Sequence, residues 1–453
     1  MPRLAAIAAS LRRALPTLFF VALAIALCAI VQWRYVIFRN DVDLGIFTQV
    51  IAGLGYGFSS TAEGRVNHLL VHWSPIIVTA WPFLRVFGPV GLEYFQALLV
   101  AAVLFPIWGL ARARFSERTA LGITAVAMLY PILWANAVGD FHEMAFVPLL
   151  SATLVYALDR RQWRLGMAAA ILLVCTKEDQ FFVLTANGLL FAATAGGDVR
   201  ARRNGLIISG GAIIVALLYF EAVRPALNPH LAYGSLRFFY WSAPQAPIAG
   251  FAAAVLLSRL RYVLMILLPL AFLPCRSRYG LFLLPGFVEI LASSQPVTLV
   301  PGSHYSALLT GYALAAFVDG AYVLSAARAG IAQLLVIAAA LASVCIQIFA
   351  SPMDYWYYLY RRPNAHDALL AETLSRLPPS ADVGAEDEIF AHLGLNPNAS
   401  VNFDSQQWFV YDRTHYSQRW QAIDEPAVRK AIALRHYAAS ERDAIVVLKR
   451  VGP

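Results

Sequence analysis

The chain has 453 residues, of which 59% are hydrophobic and 14% charged, and its formal net charge is +8. A soluble domain of this size would carry about a quarter charged residues. Here many apolar runs reach or approach the roughly 20 residues that span a bilayer, so a large soluble core is excluded and a polytopic, mainly α-helical membrane protein is expected. The positive charge is mostly arginine between apolar runs. No basic stripe interleaved with aromatics is present, which argues against nucleic acid as a partner.

The first apolar run, Leu15 to Val36, follows Arg12 and Arg13. It is too long for the core of a signal peptide and reads as an uncleaved first span. In all, the sequence suggests about eleven spans, at 14–36, 91–111, 119–137, 144–159, 164–176, 180–197, 204–223, 260–274, 279–294, 305–325 and 329–350. Cys28, Cys175, Cys275 and Cys345 each lie in or at the edge of an apolar run without CxxC spacing, which suggests neither a disulfide framework nor a zinc site.

Charge is distributed by side. Arginines cluster at Arg3/Arg12/Arg13, Arg112/Arg114/Arg118, Arg160/Arg161/Arg164, Arg200/Arg202/Arg203, Arg276/Arg278 and Arg328. The alternate connections carry acids, histidines and one lysine. Positive loops stay in the cytoplasm, so the expectation is a multi-pass protein of the inner (plasma) membrane with a cytoplasmic N-terminus. The acid and histidine loops then face the far side.

Residues 37–90 form the first outside loop. Parity requires its apolar piece 75–87 to return without crossing, as an amphipathic or re-entrant helix at the interface. Residues 224–259 form a second outside segment, with Arg224, Arg237, Tyr240 and Trp241. The run Asp354 to Tyr358, within 351–362, reads as an aromatic membrane exit. From residue 363 to 453 the composition becomes that of a small extracytoplasmic α/β domain following a transmembrane part at 1–350. Helices are expected at Ala365–Leu377 and Glu386–Leu393, and strands at Ala381–Ala385, Val401–Phe403 and Ala444–Lys449. No nucleotide-binding loop and no fixed-period repeat is visible.

Five constellations could carry chemistry. Asp41 and Asp43 follow span one, where a carboxylate can accept a proton or hold a divalent cation; spacing alone favours Asp43 as a helix N-cap. His68 and His72 would share a helix face as a metal pair, although Pro75 soon ends such a helix and an interfacial polar role is the simpler reading. Asp140, His142 and Glu143 place three titratable groups at membrane depth, against a plain solvated loop. Lys177, Glu178 and Asp179 join two apolar stretches; they are either functional or an internal ion pair holding a hairpin, and Lys177 could bind a lipid phosphate. Ser303, His304 and Tyr305 open a span, where free N–H groups favour anions and Ser303 could simply cap.

In this order Asp43-Leu44-Gly45-Ile46-Phe47, His72-Trp73-Ser74-Pro75-Ile76, Asp140-Phe141-His142-Glu143 and Lys177-Glu178-Asp179 resemble the bacterial and archaeal membrane-protein family called domain of unknown function 2079. The likeness covers roughly residues 37–200, and less closely His304-Tyr305 and Ala381–Gly394. Trp73 stands where the family pattern suggests Phe, and Glu143 where it suggests Pro. That family is similar to the GT-C class of integral-membrane glycosyltransferases. The resemblance implies an acidic residue in the first outside loop, interfacial helices after it, and sugar transfer from a polyprenyl-phosphate donor.

On that reading Asp43, or Asp41, would be the base. Lys177 with Arg237, Arg259 or Arg261 would grip the donor phosphate. His72, His142 and Glu143 would position the acceptor or a divalent metal, and Asp140, Glu178, Asp179, His304 and Tyr305 complete the expected binding residues. The alternative is a transporter or a non-catalytic lipid-handling protein, in which Asp140, Glu178 and Asp179 bind coupling ions at a broken-helix site.

Overall fold

The computed structural model describes residues 2–55, 57–228, 230, 253–353, 361–401, 403–404, 406–414 and 425–452. Arg237, Tyr240, Trp241 and the aromatic run Asp354 to Tyr358 lie outside the described residues. The architecture is mainly helical, with a small sheet near the C-terminus.

Among the described residues, four helices are long and apolar enough to cross a membrane: Ala14–Val36 (in helix α1, Pro2–Val36), Val90–Arg112, Val199–Leu227 and His304–Phe349. Glu117–Leu129 and Pro131–Val138, bent by 49°, make a fifth if taken as one span. The bend has a local cause: Tyr130 precedes Pro131 and is extended (φ −61°, ψ 117°), because the proline ring disfavours helical backbone in the residue before it.

Of the about eleven spans expected, helix length and hydropathy thus identify four or five among the described residues; the other runs form shorter or broken helices. The runs expected at 144–159, 164–176 and 180–197 form helices of 13, 12 and 15 residues, Val147–Asp159, Trp163–Val174 and Asp179–Ala193. The run at 260–274 overlaps the end of Ala253–Leu267, and the run at 279–294 contains Leu284–Ala292. Between them Pro269 and Pro274 bracket Ala271 and Phe272, both in left-handed backbone (φ 49° and 55°), so no helix runs through. The two runs expected at 305–325 and 329–350 join as Ala307–Phe349, broken in its dihedrals at Arg328 (φ −151°, ψ 76°).

The loop after the first span holds helix α2 (Val42–Ala52), a single turn His68–Val71, a 3-10 segment Pro75–Ala80 and a short helix Trp81–Phe87. The sheet has the order β2-β1-β3-β5-β4, with β1 (Val383–Ala385), β2 (Ala399–Ser400), β3 (Trp408–Asp412), β4 (Tyr437–Arg442) and β5 (Ile445–Arg450). β1 pairs in parallel with β2 and β3, and β5 pairs antiparallel with β3 and β4. The β4–β5 turn uses Asp443 and Ala444, both at positive φ (51° and 64°), which matches the twist of a two-residue hairpin.

Helices Ala365–Ser375, Asp387–Leu393 and Glu425–Ala433 accompany the sheet. The strand expected at Val401–Phe403 instead lies just before it, at Ala399–Ser400, and residue 402 is outside the described residues. β3 and β4 carry no clean alternation of apolar and polar residues, and the sequence reading missed them and the helix Glu425–Ala433.

Helix α2 is gripped from both sides. Leu44, Phe47 and Ile51 pack with Leu92, Phe141 and Phe146 of the bundle. On the other face a Cβ at Gly45 would lie 2.5 Å from the Phe390 ring, and one at Gly394 would lie 2.7 Å from Thr48. Gln49 donates to Asn396 O (3.0 Å) and Ala399 O (2.9 Å) and accepts from Ser60 Oγ (2.8 Å). The helix that carries Asp43 is thus part of both halves of the molecule.

Candidate functional site

The site begins with a buried arginine at the end of the first span. Arg34 is fully buried; its Nη2 donates to Asp140 Oδ1 at 3.0 Å, and Nη1 lies 4.0 Å from Glu93 Oε2. Asn40 Nδ2 donates to both Glu93 and Asp140, at 3.1 Å each. Asp140 Oδ2 accepts from Asp41 N–H (2.6 Å) and Leu44 N–H (3.3 Å). Asp140 therefore ties together the entry turn of α2 and stands beside the helix's positive end, where a carboxylate is favoured.

The local cap corrects the spacing argument. Asp41, not Asp43, is the N-cap, and its carboxylate accepts from Val42 N–H at 2.7 Å. Asp43 falls in the first turn, so its carboxyl is not used as the cap and lines a cavity of about 180 Å³ with Asp41, Asp140, His142 and His304. Burial, then the charges of Asp41, Asp140 and Glu143, push the Asp43 pKa well above the usual carboxylate range, against an opposing pull from Lys177.

His142 and His304 stack face to face, with ring centroids 3.6 Å apart and planes 10° from parallel. Burial first, then the proximity of His304 and the charge of Lys177, holds the His142 pKa well below its usual value. Two stacked imidazoles beside a carboxyl form a donor set. One ligand atom each from Asp43, His142 and His304 can be chosen so that all lie within 4.8 Å of one another. Carboxylate plus imidazole suits zinc or a similar first-row cation.

Glu143 links this group to Lys177. It is fully buried, with Oε2 3.0 Å from His142 Nδ1 and Oε1 3.4 Å from Lys177 Nζ. Lys177 also lies 3.7 Å from Asp179 Oδ2 and 5.1 Å from the Tyr305 ring centroid. Burial works against the Lys177 charge, but Asp179, Glu143, Tyr305 and Glu178 outweigh it and raise its pKa well above the usual value. Lys177 is a fixed cation among acids.

His68 and His72 do not form a helical pair. His68 opens the single turn, while His72 ends it in extended backbone (φ −137°, ψ 141°). Their rings are 6.0 Å apart and edge-on, and each has its own carboxylate. His68 Nδ1 lies 2.9 Å from Glu63 Oε1, and His72 Nδ1 lies 2.8 Å from Glu178 Oε1. Glu178 Oε2 also accepts from Trp73 N–H at 2.9 Å. Burial opposes the His72 charge, yet Glu178 raises its pKa to about 8; burial likewise opposes the Glu178 charge, and His72 leads the groups that bring its pKa down to about 2. The ion pair expected within the hairpin therefore divides: Glu178 serves His72, and Lys177 serves Glu143 and Asp179.

Two of the expected phosphate cations do not join this cluster. Arg259 donates to Leu291 O (2.7 Å) and Ser293 O (3.0 Å), pinning one helix to the end of another. Arg261 is exposed and lines a separate groove with Leu257, Met265 and Val300. Arg237 lies outside the described residues. Ser303 makes no capping bond; its hydroxyl donates to Val300 O at 2.8 Å.

Sequence reasoning passed over Arg34, Glu63, Glu93 and Glu289. Glu289 shares a side-chain hydrogen bond with Asp179. A lone carboxyl in an apolar run was the available signal for Glu93 and Glu289, since such groups are expensive at membrane depth.

The profile of one family matches residues 34–444. The chain belongs to the family described as predicted membrane protein, DUF2079. No curated protein matches the sequence. Among solved structures the chain is similar to ArnT from Cupriavidus metallidurans bound to undecaprenyl phosphate, with 13% identity, a TM-score of 0.57, and 96% of this chain and 99% of that chain covered. The apo state of the same protein gives 14% identity, a TM-score of 0.51 and the same coverage. This member of DUF2079 therefore has a GT-C-like fold along nearly its whole length.

Proposed function

We propose that this protein is a membrane glycosyltransferase that moves a sugar from a polyprenyl-phosphate donor to an acceptor on the extracytoplasmic face. The observation that carries the reading is the convergence of Asp43, His142, His304 and Lys177 beside one cavity under the first loop. The fold it occurs in is shared with a protein solved with undecaprenyl phosphate. In this reading the N-terminus is cytoplasmic, and residues 363–453 form an extracytoplasmic domain after a transmembrane part at 1–350. The short helices between the long ones complete about eleven passes of an inner-membrane protein.

The geometry supports the following chemistry. Asp43 accepts the proton of an acceptor hydroxyl, the acceptor oxygen bonds to the anomeric carbon, and the bond from that carbon to the phosphate oxygen breaks. The lipid phosphate leaves with the electron pair, and Lys177 offsets its charge. Lys177 already sits between Glu143 and Asp179, so an arriving phosphate competes with two carboxylates. A divalent cation on Asp43, His142 and His304 would offset that excess of acids and act as a Lewis acid toward a bound oxygen. Asp43 would then be a ligand rather than the base.

The test is incubation of the purified protein with a panel of polyprenyl-phosphate sugars, scoring free lipid phosphate with and without chelator. Release by wild type and its loss in Asp43→Asn is the expected result. Failure of every donor across the panel, with protein shown to be folded, would remove the reading.

A further inference from the structure

The short helix Trp81–Phe87 borders a second hollow that shares no residue with the cavity around Asp43. It is a groove of about 730 Å³ lined by Ala52, Leu54, Trp81, Leu84, Arg85 and Leu395, among others. Three separate segments build it: the end of α2, the short helix, and the loop after helix Asp387–Leu393. Its walls are apolar and open: Leu54 is 40% exposed, Trp81 43% and Leu395 54%. Large apolar side chains from distant parts of a chain do not collect around water-filled space without a partner.

The groove also holds a charge without a counter-charge. The Arg85 guanidinium lies 5.7 Å from the Trp81 ring centroid. Among the described residues it pairs with no carboxylate, and no acid lines the groove. Immediately after the helix Gly88 (φ 70°) turns the chain, and Val90 starts a membrane-crossing helix. The groove therefore sits at the level where that helix meets the bilayer surface. Tryptophan and arginine are the side chains that favour this level, the one by its amphipathic ring and the other by its attraction to lipid phosphate.

We propose that this groove binds one anionic phospholipid of the surrounding bilayer, its phosphate held by Arg85 beside Trp81 and its upper acyl chain lying along Leu54 and Leu395. The occupant is a bulk phospholipid and not the polyprenyl donor, because the groove and the Asp43 cavity have no lining residue in common. Leu395 belongs to the C-terminal segment, so the same lipid seats that segment on the membrane. The inference does not depend on the transferase reading.

The experiment uses the full-length protein in nanodiscs of phosphatidylcholine containing phosphatidylglycerol, with bromine on the acyl chains of one lipid or the other. Bromine quenches tryptophan at short range, and the difference between wild type and Trp81→Phe isolates the Trp81 signal from the other tryptophans. Brominated phosphatidylglycerol is expected to quench that signal at about fivefold lower mole fraction than brominated phosphatidylcholine, the preference one arginine confers at an anionic surface. Arg85→Gln should abolish the preference while quenching itself persists, raised salt should weaken it in wild type, and added polyprenyl phosphate should not displace it. Equal quenching by the two lipids, a Trp81 signal that neither lipid quenches, or displacement by polyprenyl phosphate would each overturn the proposal.

Discussion

Two buried polar clusters lie at opposite ends of the same helices, and they are built on opposite rules. One is the Asp43–His142–Lys177 group. The other joins Arg114, Asp159, Ser277, Tyr279 and Asp319. Helix Val147–Asp159 starts beside Glu143 at the first cluster and ends at the second, and helix Ala307–Phe349 starts beside His304 and reaches Asp319 after about three turns.

In the far cluster every charge is matched. Arg114 Nη1 donates to Asp159 (2.9 Å), and Nε and Nη2 donate to Asp319 (3.2 and 3.0 Å). Ser277 Oγ donates to Asp319 at 2.6 Å and Tyr279 OH to Asp159 at 2.9 Å. Around Lys177, by contrast, both Glu143 oxygens, Asp179 Oδ2, Glu289 Oε2 and His304 Nε2 are buried without a hydrogen-bond partner among the described residues. Unsatisfied buried polar groups are costly, so a cluster that only held helices together would look like the Arg114 group. The Lys177 group has the composition of a site that awaits a ligand, water or a cation.

Four substitutions or conditions test that contrast. The largest effect is expected from Asp43→Asn. It keeps size and hydrogen bonding but removes basicity, so release of lipid phosphate should fall about a hundredfold to ten-thousandfold. Unfolding temperature in detergent should hold or rise, because burial and neighbouring acids disfavour the Asp43 charge.

Arg114→Met should do the reverse. It strands Asp159 and Asp319 at the far cluster, a loss of about 3–5 kcal/mol in stability, while turnover per folded molecule, measured by the same assay, stays at the wild-type level. A clear fall in turnover would mean that the far cluster is not merely structural.

Lys177→Met lies between these two. It leaves Glu143 and Asp179 without their cation and removes the group assigned to the leaving phosphate. Both unfolding temperature and turnover should fall, with the donor KM rising. A stability loss alone would return Lys177 to the role of a hairpin pair.

The smallest effect concerns pH. The folded-state pKa of His72 is raised to about 8, above its ordinary value near 6.5. Its pairing with Glu178 is therefore fully stabilising below about pH 6.5 and is lost as pH rises through about 8, on the order of 2 kcal/mol. Thermal scans in detergent between pH 6 and 9 should show this slope, and Glu178→Gln should flatten it.

Much of the site was legible as residue types in order: the four motifs from Asp43 to Asp179 do gather, with His304 and Tyr305 added from far along the chain. Their pairings were not legible. Spacing favoured Asp43 as the cap and offered His68 and His72 as a pair, with an interfacial polar role as the simpler reading, and the transferase reading counted Arg259 and Arg261 among the phosphate ligands. The cap and the histidine pair turned on a difference of a residue or two at a helix end, where competing local bonds differ by only about 1 kcal/mol.

What the sequence determined by itself is the partition between lipid and polar surroundings. Apolar runs near bilayer length must be helical and buried in membrane or protein, because backbone groups have no other partner there, and charges must collect in the connections. Only the tertiary structure decided which carboxylate meets which cation. Asp41 became the cap because Asp140, some hundred residues away, occupies the entry turn of α2 from outside. Glu178 was drawn to His72, Glu143 to Lys177, and Asp179 to Glu289 on a separate helix. Such pairings depend on distances of about 3–4 Å between segments far apart in the chain. Composition and periodicity carry no information at that scale, since electrostatic attraction falls off with separation in space and not in sequence.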